Sequence, residues 1–360
     1  LLADKLIQLL HDHADCTQIS KIFFGLSGSD ANDTQFKLAR YYNNLRGKPN
    51  KKKIISRIGA YHGVSAAAGS LTGIPLYHKA FDLPLDGVLH TSCPNFWKYG
   101  NPDESEEEFT NRMVKNLEDL ILIEGPETIA AFIAEPVMGT GGVIVPTRDY
   151  YHRIQAILKE HDILLIVDEV ITGFGRLGSW FGSSFYGIKP DLMSFAKGLT
   201  SAYFPMSAVA VADHVWQVLA DGTSEVGVFG HGFTYSGHPV GAAVGLANLE
   251  IMEEENLVSN AAKIGPYLKQ SLVGRLGGHP NIGQIRGEGL MIGVEYCAGR
   301  NSKEAPEMSP PAHKQVAMAA QERGLLTRAL PFLPVNSFSP PLTFTKADAD
   351  ETVDIFADSV

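Results

Sequence analysis

In this 360-residue chain, two charged residues stand where apolar strands should simply turn. The apolar run Ile163 to Val167 ends abruptly in Asp168 and Glu169, and a second short run, Asp191 to Ala196, ends in Lys197 and Gly198. Runs of this kind, bounded by turn residues, read as strands buried in a parallel sheet. Such strands deliver their last residues to one edge of the sheet, where open α/β folds place ligands. Either residue alone would read as half of an ordinary ion pair. Together they meet the two needs of pyridoxal phosphate: a lysine that holds it covalently and a carboxylate that keeps its ring nitrogen protonated. Lys197 is therefore the expected cofactor lysine and proton carrier, and Asp168 the expected partner of the ring nitrogen.

The elements around this pair must supply the other contacts. Lys21 to Leu26 reads as a strand leading into SGSDANDT, residues 27 to 34, and a helix that ends at Gly47. Ser29 or Asp30 is the expected N-cap. The free N–H groups at that helix start, with Gly28 and Ser29, could hold a phosphate. A strand from Lys53 to Ile58 ends in GAYHGVS, so Tyr61 is the candidate platform for a flat ring, with His62 beside it. Residues 71 to 100, rich in Pro, Gly and His, read as a meandering segment. A helix follows from about Glu104 to Gly125, then a strand, Ile129 to Ala134, which ends in Glu135 and the loop Met138 to Gly142. Strand and helix alternate from 21 to 212, which predicts a mostly parallel sheet covered on both faces. The helix starting near Pro239 is apolar on every side and is expected to run through the core. The loop before it offers the Thr234 hydroxyl to the same phosphate from a second subunit. From Asn260 the pattern changes to helix, strand (Met291 to Glu295), a Pro-rich stretch, helix, strand (Leu325 to Leu330) and helix, an α+β unit of its own.

Composition narrows the classes. A net charge of −10 excludes the basic footprint of a nucleic-acid binder, and no apolar run approaches the ~20 residues of a membrane helix. Cys16, Cys93 and Cys297 lie far apart, as reduced thiols of a cytoplasmic protein would. His11, His13 and Cys16 cluster, but with no second ligand group they read as a polar helix end rather than a metal site. The first residue is Leu1, inside what reads as a helix, so a preceding segment is expected.

SGSDANDT at 27–34, YHG at 61–63, EPVMGTGG at 135–142, DEVITGFGR at 168–176, FAKGLTSAYFP at 195–205 and FTYSGHP at 233–239 together resemble the signature set of class III pyridoxal-phosphate aminotransferases. The likeness is greatest to amine:pyruvate (omega-) transaminases and the pyruvate-using plant-type 4-aminobutyrate transaminases. It implies fold type I: a large domain with a mostly parallel seven-stranded sheet and a small α+β domain. Residues 1–15 would be the remnant of an N-terminal small-domain segment, 16–259 the large domain and 260–360 the C-terminal small domain. The resemblance also implies Lys197 as the cofactor lysine, Asp168 at the ring nitrogen, Val170 and Tyr61 on the two ring faces, Gly28 and Ser29 at the phosphate, and Glu135 in the cofactor site. Thr234 would come from the partner of a homodimer or homotetramer.

Departures from related enzymes bear on the acceptor. Bacterial 4-aminobutyrate transaminases that use 2-oxoglutarate resemble this chain but carry an arginine where Val64 stands, a glutamate where Thr140 stands and a second arginine at Ser337. A second carboxylate buried without a partner is costly. Pyruvate is thus the expected acceptor, and Arg328 in LLTRAL matches the mobile, carboxylate-binding arginine of omega-transaminases. The expected reaction moves an amino group from a primary amine or omega-amino acid to pyruvate, giving alanine and an aldehyde or ketone. A 4-aminobutyrate or β-alanine transaminase, or a decarboxylase or aminomutase of the same fold, is the alternative.

Overall fold

The computed structural model describes residues 1–360, which form two sheets. The larger comprises β1 (Ile19–Gly25), β2 (Lys53–Arg57), β3 (Val88–Thr91), β4 (Ile129–Ala134), β5 (Leu164–Asp168), β6 (Leu192–Phe195) and β7 (Ser207–Ala212), in the order β1-β7-β6-β5-β4-β2-β3. From β3 to β6 all neighbours are parallel, whereas β7 runs antiparallel to both β6 and β1. This is the mostly parallel, seven-stranded α/β sheet of a fold type I enzyme. Every residue of β4, β5 and β7 is buried, which is why their sequences are unbroken apolar runs. Along β5 the side chains alternate: Leu165 and Val167 enter the layer with Phe132, Tyr151 and Phe195, while Leu164 and Ile166 enter the layer with Phe36 and Ala39 of the helix Gly28–Leu45. Asp168 continues the second set and so points toward that helix.

The smaller sheet is wholly antiparallel, in the order β10-β11-β9-β8, with β8 (Ile282–Glu288), β9 (Met291–Tyr296), β10 (Arg328–Ala329) and β11 (Val335–Phe338). Helices Leu257–Leu276 and Lys346–Ala357 cover it through Leu268, Leu272, Val353 and Phe356. Arg286 of β8 is paired with Glu295 of the neighbouring β9 and also reaches the loop after β4. Arg286 Nη1 donates to Glu295 Oε2 at 2.5 Å, while its Nε and Nη2 donate to the carbonyls of Gly142 and Val143. The loop after β4 is thereby pinned to the second sheet.

Several expectations need correction. The helix N-cap is Ser27, not Ser29 or Asp30: Ser27 Oγ accepts from Asp30 N and the Asp30 carboxylate accepts from Ser27 N, a reciprocal capping box. The segment Leu2–Ala14 is the helix expected at the start of the chain, and its Leu6, Leu9 and Leu10 pack in the larger sheet's core. The meandering stretch contains the edge strand β3. The helix Pro239–Glu254 does not cross the core: it buries Gly241, Gly245, Leu249 and Met252 but leaves Val240 and Ile251 exposed. Gly241 and Gly245 let it lie close against Phe204 and Leu2, and its other face is open in a single chain. Replacing Glu295 by alanine leaves the Arg286 charge buried without its partner. It should destabilise the fold by about 3–5 kcal/mol, read as a lowered denaturant midpoint; an unchanged midpoint would show that the pair holds nothing.

Candidate active site

β5 and β6 pair in parallel with Asp168 opposite Ser194, so Asp168 and Lys197 emerge beyond the same edge of the sheet. The Asp168 carboxylate is buried and fully held. Oδ1 accepts from Val170 N at 3.0 Å, and Oδ2 accepts from Asn32 Nδ2 at 2.7 Å and lies 2.9 Å from His62 Nδ1. His62 is anchored in turn: its N–H donates to Thr72 Oγ1 and its carbonyl accepts from Asn32 Nδ2. A carboxylate in so tight a set of hydrogen bonds is fixed in position.

Lys197 opens the short turn after β6 with a φ of +40°, in the left-handed region that a residue with a Cβ rarely takes. Its side chain has no ion-pair partner and is exposed toward the cleft. Surrounding protein lowers its pKa, with Asp168 and Glu135 pulling the other way, so the neutral amine is more accessible than in a free lysine. Glu135 is buried, and burial raises its pKa although Tyr61 N and Gly139 N donate to it at 3.0 and 2.8 Å. That carboxylate ties the Tyr61 strand end to the glycine loop. Burial, and then the neighbouring Tyr77, raise the pKa of Tyr61, whose ring meets that of Tyr77 edge-on.

Gly28, Ser29, Tyr61, His62, Glu135, Asp168, Val170 and Lys197 all line one cleft of about 200 Å³. In the capping box, Ser27 engages the N–H groups of Asp30 and Ala31, leaving those of Gly28 and Ser29 without a helical partner at the mouth of the cleft. A Cβ on Gly28 would lie 3.0 Å from Val170, and one on Gly63 would lie 2.5 Å from Ser29 Oγ. The glycines therefore let the helix start pack closely against Val170 and the turn after β2. A buried acid, an amine across from it, free N–H groups for an anion, and Val170 and Tyr61 beside the space between them form a donor set that fits pyridoxal phosphate.

Arg328 lies elsewhere: it is exposed on β10 and lines an adjoining cavity of about 520 Å³ that shares Lys197. Thr140 and Ser337 line that cavity too, and Ser337 sits directly across from Arg328 in the β10–β11 pair. Thr234 is exposed and outside both spaces of its own chain. Glu169, next to Asp168, serves the fold: it is buried and accepts from Thr172, Gly182 and Ser183. At the opposite helix end, His11 bonds the Ile19 carbonyl and His13 stacks on Trp180. Sequence reasoning missed Asn32, although its spacing of four from Gly28 places both on one helix face. It also missed Arg176, which lines the larger cavity.

A family model for class III aminotransferases matches residues 1–360. The chain is 50% identical over 353 residues to an aminotransferase of Sinorhizobium fredii, covering 98% of this chain and 74% of the relative. It is 49% identical over 337 residues to a diaminobutyrate–2-oxoglutarate transaminase of Halomonas elongata, covering 93% and 72%. The omega transaminase of Pseudomonas jessenii in complex with PMP superposes with a TM-score of 0.95 at 47% identity, over 99% of this chain and 77% of the other. With site and fold already in agreement, the match over the full length means that the chain belongs to the class III aminotransferases, enzymes that depend on pyridoxal phosphate.

Proposed function

We propose that the chain moves the amino group of a primary amine or omega-amino acid to pyruvate, giving alanine and an aldehyde or ketone. The observation that carries the acceptor is the β10–β11 pair, which sets a neutral Ser337 across from Arg328. That pair thus offers one guanidinium where an arginine at Ser337 would offer two side by side, which supports a keto acid with a single carboxylate. Relatives of this chain include rice enzymes named as γ-aminobutyrate transaminases, 47% identical over 343 residues, which supports omega-amino acids among the donors. No helix is long and apolar enough to cross a membrane.

Bound pyridoxal phosphate supplies a ring that takes up the electron pair left when the substrate carbon loses its proton. The chain does the rest. Asp168, immobilised by Asn32, His62 and Val170, keeps the ring nitrogen protonated. The Gly28 and Ser29 N–H groups hold the phosphate, and Val170 and Tyr61 confine the ring. Lys197 Nζ holds the cofactor at rest and, as a neutral amine, carries the proton away from the substrate carbon. Thr234 reaches the phosphate from a second copy of the chain, in a homodimer or homotetramer, because it is exposed and remote from its own cleft.

Three measurements test this reading. A primary amine should bleach the visible cofactor band of the loaded protein, and pyruvate should restore it while 2-oxoglutarate does not. Recovery with 2-oxoglutarate alone would overturn the acceptor but not the reaction. Lys197→Ala should lower turnover by about 100-fold or more, and near-normal transamination by that variant would remove Lys197 from its role. Because the Lys197 pKa is lowered, attachment of pyridoxal phosphate to cofactor-free protein should rise with pH through a midpoint below the ~10.4 of an ordinary lysine. A midpoint at or above that value would contradict the burial argument.

A further inference from the structure

We propose that Arg176 is a fixed carboxylate anchor in the cavity beside Lys197, able to seat the carboxylate of a keto or amino acid whichever way Arg328 points. The inference rests on the aminotransferase reading above and names the class of substrate the cavity selects. Its basis is charge without counter-charge. Arg176, Lys197 and Arg328 line the same cavity, and no aspartate or glutamate lines it. Arg176 forms no ion pair anywhere in the chain. Its side-chain hydrogen bonds all come from Nη1, which donates to the carbonyls of Leu290 at 3.1 Å and Pro340 at 2.5 Å.

Those two bonds, with the return bond from Leu290 N to the Arg176 carbonyl, clamp the side chain from the smaller sheet. They leave the Nε and Nη2 donors without a protein partner. That edge is the planar fork that receives two carboxylate oxygens in parallel. A purely mechanical cross-link between loop and sheet accounts for Nη1 and not for the vacant edge. The packing is close enough for burial to lower the Arg176 pKa to about 10, with no acid nearby to offset it. An anion entering the cavity would supply what the fold withholds. Arg328 differs in kind: it sits exposed on a two-residue strand and is free to turn outward when an uncharged amine enters. Arg176 is held in place and stays.

The test uses cofactor-loaded protein and sodium propionate, a probe that carries the carboxylate and no reacting group. Calorimetric titration is run on the wild-type protein, Arg176→Met and Arg328→Gln, with propylamine bleaching of the cofactor band followed in each. Loss of one charge-assisted pair should weaken propionate binding in Arg176→Met by about 10- to 100-fold, with a smaller loss in Arg328→Gln. The ratio of pyruvate-driven recovery to propylamine-driven bleaching should fall by a similar factor in Arg176→Met, which a general loosening of the fold would not produce. Wild-type protein without saturable propionate binding, or Arg176→Met binding it as the wild type does, overturns the proposal. If Arg176→Met does not fold, Arg328→Gln decides: retained propionate binding supports Arg176 and abolished binding overturns it. Failure of propylamine to bleach the wild-type band would instead strike the aminotransferase reading, while the propionate titration still reports on Arg176.

Discussion

The structure depends on holding one buried carboxylate in place at the floor of a cleft. Burying a carboxylate is costly unless donors replace its hydration, and Asp168 obtains them from three places: the helix Gly28–Leu45, the turn after β2, and the loop that Asp168 itself begins. None of these donors is positioned unless the sheet order, the β5 alternation and the helix entry are all in register. The cofactor anchors follow from the same register, because the helix that offers Asn32 to the acid also offers Gly28 and Ser29 to an anion. The neighbouring Glu169 uses the same physics for another end. It points to the other side of the strand and its donors close the loop through Ser183, so of two adjacent buried acids one serves the cleft and one the fold.

The smaller sheet takes part in the substrate space rather than merely adjoining it. Arg286 reaches from β8 to the carbonyls of Gly142 and Val143, and Arg176 reaches from the loop after β5 to the carbonyls of Leu290 and Pro340. The two sheets thus exchange guanidinium donors across the cavity between them. Val143, a β-branched residue held at a φ of +51° and almost fully buried, lies on that seam. Such a conformation persists only where the surroundings over-determine it.

Asp168 and Lys197 were legible because each interrupts an apolar run with a charge, a contrast visible along a single dimension. The sheet was legible for the same reason, its central strands being apolar throughout. Residues whose role depends on distant partners were not. Asn32 sits among the polar residues of an amphipathic helix and reads as solvated until β5 is placed against it. Arg176 meets carbonyls more than a hundred positions away, and no local pattern announces that. The strands β3 and β11 are four residues each, and Asn336 inside β11 is buried with its side chain on the His313 carbonyl, so neither shows the alternation that marks a strand. The helix cap was misread by two residues because Ser27 and Ser29 are alike in type. What distinguishes Ser27 is an acid three positions on that reaches back to it.

The turn after β6 carries a further implication for how this protein changes over generations. Lys197, Ser201 and Ala202 all hold positive φ, a conformation that costs a residue with a Cβ about 1–2 kcal/mol and costs glycine almost nothing. The lysine on which the chemistry turns is therefore seated on backbone suited to a smaller residue. Any sorting of variants by heat tolerance alone would favour glycine there and retire the enzyme while improving the fold. Only sorting by turnover keeps the lysine in place.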